Sequence, residues 1–325
     1  MRSLSILAAL ALTFTALTFT ALPNAIADGV GEVEEILSLN PAFGQFPEGV
    51  AVDKKGNVFV TVAPTGEVKK IDKKGAVSTH TTFDTSGGFL LGMTVDKSEN
   101  VYVALASFNP ATEGIHKITP SGQVSLVANV PGFPNDLTID DKGKNLYVTE
   151  SISGSVYKIE LASGEAELWL QDPLLEGDLE VSPVPFPIGV NGIAMDKGSL
   201  VLSNSQQPRL LRVSISGSGD PGDPEVILED PILMGADGVA LDVKRDIYVA
   251  VNKQNLLLKV SPDGADVDVL ADASDGLDFP ATVAFGQGPA GKKNLFVTNF
   301  ALFTGEAAAP GLLRVDVGVP GRAVP

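Results

Sequence analysis

The sequence predicts an all-β fold, a six-bladed β-propeller of four-stranded blades, on three observations. A head residue, polar in four of the copies, followed by an apolar strand recurs six times: Glu48-Gly-Val-Ala-Val-Asp53, Leu91-Gly-Met-Thr-Val-Asp96, Asn135-Asp-Leu-Thr-Ile-Asp140, Asn191-Gly-Ile-Ala-Met-Asp196, Asp237-Gly-Val-Ala-Leu-Asp242 and Ala281-Thr-Val-Ala-Phe-Gly286. The copies end 43 to 56 residues apart, a spacing that marks repeat architectures. Each copy is followed by a second and a third strand that align with one another across the chain. Fourth strands can be found only five times, whereas a lone strand at residues 31–39 has no partner close by in sequence. That front strand is expected to complete the last sheet, closing the ring and leaving only short edges. A two-sheet sandwich gives no reason for one four-strand motif to repeat six times.

The elements follow in order. Met1-Arg2-Ser3, an apolar run from Leu4 to Leu22 and Ala25-Ile-Ala27 describe a secretory signal peptide cut after Ala27, so residues 28–325 form the propeller. The apolar run is also nearly long enough for an uncleaved anchor. In the first repeat Gly49 to Val52 is a strand, Asp53-Lys-Lys-Gly-Asn57 a turn and Val58-Phe-Val-Thr-Val62 a second strand. Strands at Gly66 to Ile71 and Gly75 to Phe83 complete that blade. Later second strands read Val101-Tyr-Val-Ala, Leu146-Tyr-Val-Thr, Leu200-Val-Leu-Ser, Ile247-Tyr-Val-Ala and Leu295-Phe-Val-Thr. Third strands run from Val68-Lys-Lys70 to Leu312-Leu-Arg314, and the basic residue in each is read as a solvated face.

Composition narrows the function. The formal net charge is −17, which makes a nucleic-acid backbone or an anionic membrane surface an unattractive partner. There are no cysteines, so thiolate metal sites, cysteine nucleophiles and disulfides are excluded, and stability rests on burial and sheet closure. The expected product is a secreted protein, extracellular or periplasmic, monomeric, free of the membrane once the leader is cut, whose partner is a small molecule.

The first strand of a propeller blade lies closest to the axis, so equivalent head residues ring the channel mouth. Around the ring they read Glu48, Leu91, Asn135, Asn191, Asp237 and Ala281, four oxygen donors and two apolar residues. Carboxylate and amide oxygens of this kind suit a hard cation such as Ca²⁺, and two carboxylates balance its charge. Zinc is disfavoured because its usual His and Cys ligands are scarce or absent. Asn-Gly and Asp-Gly are also turn dipeptides, a reading that covers Asn191 and Asp237 but not Glu48.

Phe46-Pro-Glu-Gly-Val-Ala-Val-Asp53, Phe133-Pro-Asn-Asp-Leu-Thr-Ile-Asp140, Val190-Asn-Gly-Ile-Ala-Met-Asp196 and Ala236-Asp-Gly-Val-Ala-Leu-Asp242 resemble the metal-site strands of the gluconolactonase and regucalcin (senescence marker protein) family. They are similar above all to the four-ligand relatives, the diisopropylfluorophosphatase and paraoxonase propellers. The resemblance implies that Glu48, Asn135, Asn191 and Asp237 are calcium ligands. It further implies that Asp237 acts in hydrolysis as base or nucleophile, beside an ion that polarises a carbonyl or phosphoryl oxygen. Sugar-lactone members carry polar substrate contacts, an arginine among them, where this chain reads Phe89-Leu90-Leu91, so an apolar ester or lactone is expected.

Long connections fall on the same face. Leu174 to Ile188 holds Phe186, Ser107 to Glu113 holds Phe108, and Ala301 to Pro310 holds Phe303. Phe89, Leu91, Phe186 and Phe303 are the expected substrate contacts, since long loops over a pocket mouth are often substrate walls. Ser216-Gly-Ser-Gly-Asp-Pro-Gly-Asp223 falls on the opposite face and reads as a flexible turn.

Other chemistry is thin. His116 takes a register held by Lys69 and Tyr157 in sister strands, and His80 lies in an outer strand. There is no G-x-S-x-G elbow, and Gly286-Gln-Gly-Pro-Ala-Gly291 leads into a strand rather than a helix, so it reads as a turn and not a phosphate loop. Two further classes remain: a non-catalytic propeller similar to NHL-repeat proteins with a structural ion, and a strictosidine-synthase-like enzyme with Glu150 or Glu176 as general acid or base.

Overall fold

The computed structural model describes residues 30–323; the leader expected at 1–27 lies outside the described residues. Six four-stranded antiparallel sheets stand in a ring, as the repeats predict. The innermost strands are Pro47–Val52, Phe89–Val95, Pro134–Ile139, Val190–Met195, Ala236–Leu241 and Pro280–Phe285. Each packs against the next, and the sixth packs back against the first. In the last sheet Glu34–Ser38 pairs outermost on Gly311–Asp316, followed inwards by Asn294–Asn299 and Pro280–Phe285. The N-terminal strand thus closes the ring, helped by an ion pair between Glu34 and Arg314.

Burial follows position in the blade. The first strand of blade one, Pro47–Val52, is buried at every residue, because both its faces meet neighbouring blades. Its outermost strand, Val77–Thr82, is mainly exposed. Apolar clusters fill the wedges between blades; one joins Ala51 and Phe59 of the first blade to Leu90, Met93 and Val103 of the second. Trp169 packs edge-on to Tyr147 at 4.9 Å and donates Nε1–H to the Gly219 carbonyl at 2.7 Å. The loop around Gly219, read from sequence as a plain turn, therefore anchors blade three to blade four.

The aspartate that ends an inner strand has a local task. Asp53 Oδ1 accepts the N–H groups of Lys55 and Asn57, both at 2.9 Å, and Asp96 and Asp242 bind their turns in the same way. This side-chain cap fixes a tight turn by using the carboxylate as a local acceptor. In blade four only Lys197 and Gly198 intervene before the next strand, and Asp196 instead takes the Arg245 guanidinium through contacts of 2.7–3.1 Å. Among the described residues no helix is long and apolar enough to cross a membrane.

Candidate functional site

The site is built by a β-bulge repeated in every blade. Pairing of the first and second strands skips between Pro47 and Val50, Leu90 and Met93, Pro134 and Leu137, Val190 and Ile193, Ala236 and Val239, and Pro280 and Val283. The two bulged residues are always the head residue and its successor. A bulge breaks the alternation of side chains and re-aims one of them, which is what presents each head residue at the channel mouth.

A hydroxyl on the second strand holds four of these bulges. Thr61, Thr149, Ser203 and Thr298 accept the N–H of Gly49, Asp136, Gly192 and Thr282 at 2.6–3.0 Å. The same hydroxyls donate to the head-residue carbonyl of the following blade, at Leu91, Asn191, Asp237 and Glu48, at 2.5–2.9 Å. Each latch pins one head residue's bulge to the next head residue. The sequence carried a signal for them in the Thr or Ser at one register of the second strands, where Ala104 and Ala250 stand in the other two blades.

Asn191-Gly192 and Asp237-Gly238 lie inside strands, so the turn-dipeptide reading is corrected. The glycine is needed for space: a Cβ on Gly192 would stand 2.3 Å from the Asp237 carbonyl oxygen, and one on Gly238 2.6 Å from Thr282 Cα.

Glu48, Asn135, Asn191 and Asp237 line one cavity and are buried. Their hydrogen bonds orient them. Asn135 Nδ2 donates to Ser151 Oγ at 3.0 Å and Asn191 Nδ2 to Ser205 Oγ at 2.8 Å, while Asn252 Nδ2 donates to Asp237 Oδ2 at 3.1 Å. Each amide thereby spends its donor on its own blade and keeps its carbonyl oxygen. Glu48 Oε2, Asn191 Oδ1 and Asp237 Oδ1 are buried with no hydrogen-bond partner. Buried acceptors without a donor are costly, and three on head residues lining one cavity fit a cation that the chain itself does not supply. The described residues contain no cluster of three His, Cys, Asp or Glu; the set is two carboxylates and two amides, the chemistry of a hard, oxygen-ligated ion.

The electrostatics fit the same picture. Burial, then the charges of Asp237 and Asp136, hold the Glu48 carboxyl well above the usual glutamate range. Burial pushes Asp237 up to about 8, opposed by the Asn252 hydrogen bond, with the Asp136 charge adding to the rise. Asp136, which follows the head residue Asn135, is also buried and is raised by that burial to about 7, its oxygens accepting the N–H groups of Leu137 at 2.8 Å and Ile193 at 3.1 Å. Crowded carboxyls in a low-dielectric site favour protons when no other positive charge is present.

The walls of the cavity are aromatic. Phe89, Leu91, Phe186 and Phe303, expected from sequence, all line it. Phe133, Phe279 and Phe300 line it as well and were missed. The signal was available, since Phe133-Pro-Asn135 and Phe279-Pro-Ala281 repeat the Phe-Pro-head pattern of Phe46-Pro-Glu48. The rings form two walls. Phe133 meets Phe186 at 5.3 Å and Phe89 at 6.3 Å, while Phe279 meets Phe303 at 5.2 Å and Phe300 at 6.3 Å. Phe108 does not line the cavity but packs behind Phe133 and Phe186 at 6.0 and 5.9 Å. Gln206, Asn252 and Lys253 are polar lining residues that sequence reasoning also missed, because they sit in second-to-third strand connections that have no repeated motif.

Glu150 and Glu176 do not line the cavity. Glu150 is a buried brace for Phe133, whose N–H it accepts at 2.8 Å together with those of Ile152 and Ser153 at 3.0 and 2.8 Å. Glu176 is exposed. The general acid or base that a strictosidine-synthase-like enzyme requires is therefore not at either position. His116 and His80 bond to the carbonyls of Thr112 and Thr119 and stack edge-on to Phe83 and Phe59, in structural roles. Residues 288–290 form a single 3-10 turn, as the Gly286–Gly291 segment was read.

No protein-family model matches the chain, and no curated protein matches its sequence. Solved structures do resemble it. The calcium-binding protein regucalcin from Agrobacterium tumefaciens is similar with a TM-score of 0.67 at 18% identity, over 91% of this chain and 96% of that one. A gluconolactonase from Xanthomonas campestris is similar with a TM-score of 0.63 at 15% identity, over 89% and 90%. A luciferin-regenerating enzyme gives 0.66 at 16%, over 90% and 98%. The six-bladed fold expected from the strand motifs is the fold these proteins share with the chain.

Proposed function

We propose that this protein is a secreted, calcium-dependent hydrolase of apolar esters or lactones, acting at the aromatic mouth of the propeller channel. One observation carries the reading: Glu48, Asn191 and Asp237, each with a partnerless buried oxygen, line a cavity walled by phenylalanine. Similarity in fold to a calcium-binding regucalcin and a gluconolactonase supports it.

Glu48, Asn135, Asn191 and Asp237 would hold the ion. Bound there, Ca²⁺ supplies Lewis-acid polarisation of the substrate's carbonyl oxygen. The rest falls to the chain. Asn252 holds Asp237 Oδ2, which leaves Oδ1 free either to take a proton from water or to attack the acyl carbon directly. The phenylalanine walls take up the apolar body of the substrate and keep bulk water from the floor. With Phe89 and Leu91 where sugar-lactone enzymes place polar contacts, a hydroxylated sugar acid would leave its hydroxyls unpaired against these walls, so an apolar substrate is favoured.

Hydrolysis of phenyl acetate and of 3,4-dihydrocoumarin, measured with and without a calcium chelator and with Asp237→Asn, tests the proposal. Turnover should require the ion and the carboxylate; turnover indifferent to both removes it. Calcium-dependent melting with no turnover would instead identify a propeller that uses the ion structurally.

A further inference from the structure

Gln206 follows the second strand of blade four and is 4% exposed. Its Oε1 accepts the N–H of Asp178 and the N–H of Ile188, both at 2.8 Å. Two N–H donors converge on that atom, so it must be the oxygen, and the orientation of the amide is settled by its neighbours. The side chain thereby ties together the two ends of the 178–188 segment, which brings Phe186 to the cavity. Gln206 Nε2, at the other end of the amide, is buried and has no partner.

The cavity residues carry other orphaned atoms. Glu48 Oε2, Asn191 Oδ1, Asp237 Oδ1 and Asn252 Oδ1 are all acceptors, and a bound cation or a water on it answers acceptors. Among the described residues lining the cavity, Gln206 Nε2 is the one partnerless buried donor. A cation cannot satisfy a donor. Nearby backbone donors are already used: the N–H of Ser205 goes to the Gly189 carbonyl, that of Gly235 to the Ser205 carbonyl and that of Gln206 to Asn204 Oδ1. An N–H pair fixed in place, buried and without a protein partner is a standing penalty that an oxygen arriving with a ligand relieves.

We propose that Gln206 is a substrate-contacting residue whose Nε2 donates a hydrogen bond to the carbonyl or ester oxygen of the bound substrate. The assignment rests on the reading of this cavity as the substrate site. It refines the substrate class: the ligand pairs an apolar body, for the phenylalanine walls, with an acceptor oxygen at its reacting end, and a hydrocarbon of the same shape is discriminated against. Because Oε1 of the same amide fastens residues 178 and 188, the contact also joins ligand binding to the wall that carries Phe186.

The test uses the full chain at saturating calcium and two ligands that cannot be hydrolysed, 2-tetralone, which has the carbonyl, and tetralin, which lacks it. Calorimetric affinities should favour the ketone in the wild type. Gln206→Glu, measured at alkaline pH so that its carboxyl is ionised, keeps an acceptor for Asp178 and Ile188 but removes the donor, and the ketone-to-hydrocarbon ratio should fall about fivefold or more. An unchanged ratio overturns the proposal. Should Gln206→Glu fail to fold, Gln206→Met, neutral and of similar length, answers the same question. Release of the 178–188 wall weakens both ligands alike and leaves the ratio unchanged, so only loss of the donor moves it. Ketone preference that depends on Gln206 without ester turnover would count against the hydrolase reading alone. Calcium-dependent turnover with a ratio insensitive to Gln206 would count against this inference alone.

Discussion

Each inner strand begins at one mouth of the channel and ends at the other, and the two ends treat the same chemical group in opposite ways. At the far end Asp53, Asp96 and Asp242 give their carboxylate oxygens to turn N–H groups within a few residues. The connections there are short, so each acid is satisfied by its own turn. At the near end Glu48 and Asp237 project from bulges within their strands, away from any turn that could supply N–H groups, and an oxygen of each finds no protein donor. Asp196 shows the rule from the other side: its shortened turn offers fewer N–H groups, and three arginines, Arg212, Arg245 and Arg322, gather around it within 3.6 Å. A carboxylate that a fold uses for itself is provided with donors; the near-end pair is provided with space and a cavity.

The largest effect expected from breaking this contrast is on activity. Asp237→Asn and Glu48→Gln should each lower calcium-dependent ester hydrolysis by about a hundredfold or more, since a charge at the reacting centre is lost. Asp242→Asn at the opposite end should leave kcat unchanged. Equal losses at the two ends would erase the distinction.

Next in size is the hydroxyl latch. Thr298→Val removes the partner of the Thr282 N–H and of the Glu48 carbonyl together, at the seam where the ring closes. Two buried backbone groups left unpaired should cost about 2–4 kcal/mol in denaturant unfolding and weaken calcium binding through Glu48. Asp53→Ala, which strips a turn of its cap at the other end, should cost about 1 kcal/mol and leave calcium affinity intact.

The acidity of the near end gives a pH signature. Burial holds Asp237 at about 8 and Asp136 at about 7, against 3.8 for an ordinary aspartate, so the metal-free folded chain keeps protons that the unfolded chain has released. Stability of the metal-free protein should therefore be greatest in acid and fall as pH rises from about 4 through about 8. If calcium binds there as proposed, it should replace those protons and raise the melting temperature most at the upper end of that window. A melting profile in chelator that rises over this range would contradict the crowded floor.

The smallest effect concerns the exposed closure of the ring. Arg314→Ala loses a surface ion pair to Glu34 and should change stability by less than about 1 kcal/mol, because the backbone ladder from Glu34 to Ser38 does the closing.

Much of this was legible in the chain. The six-fold recurrence gave the blade count, the unpaired strand at 31–39 gave the closure, and the first-strand register gave the four donors, because period-2 alternation and repeat length are local quantities. The phenylalanine walls were legible in part, through Phe89, Leu91, Phe186 and Phe303. Gln206, Asn252 and the pairing of Asn135 and Asn191 with Ser151 and Ser205 were not, for they depend on which connections meet over the axis.

The sequence by itself determined how many blades form, where each inner strand starts and which head residues carry oxygen. Only the tertiary structure decided that the Asn-Gly and Asp-Gly pairs are bulges rather than turns, that amide donors are consumed by serines, and that four oxygens and one N–H pair of the cavity residues remain unspent. The physical reason is that hydrogen-bond satisfaction is a property of neighbours in space, and here the partners of Asp237 come from Ser203 on the second strand of the preceding blade and from Asn252 in the connection that follows its own second strand.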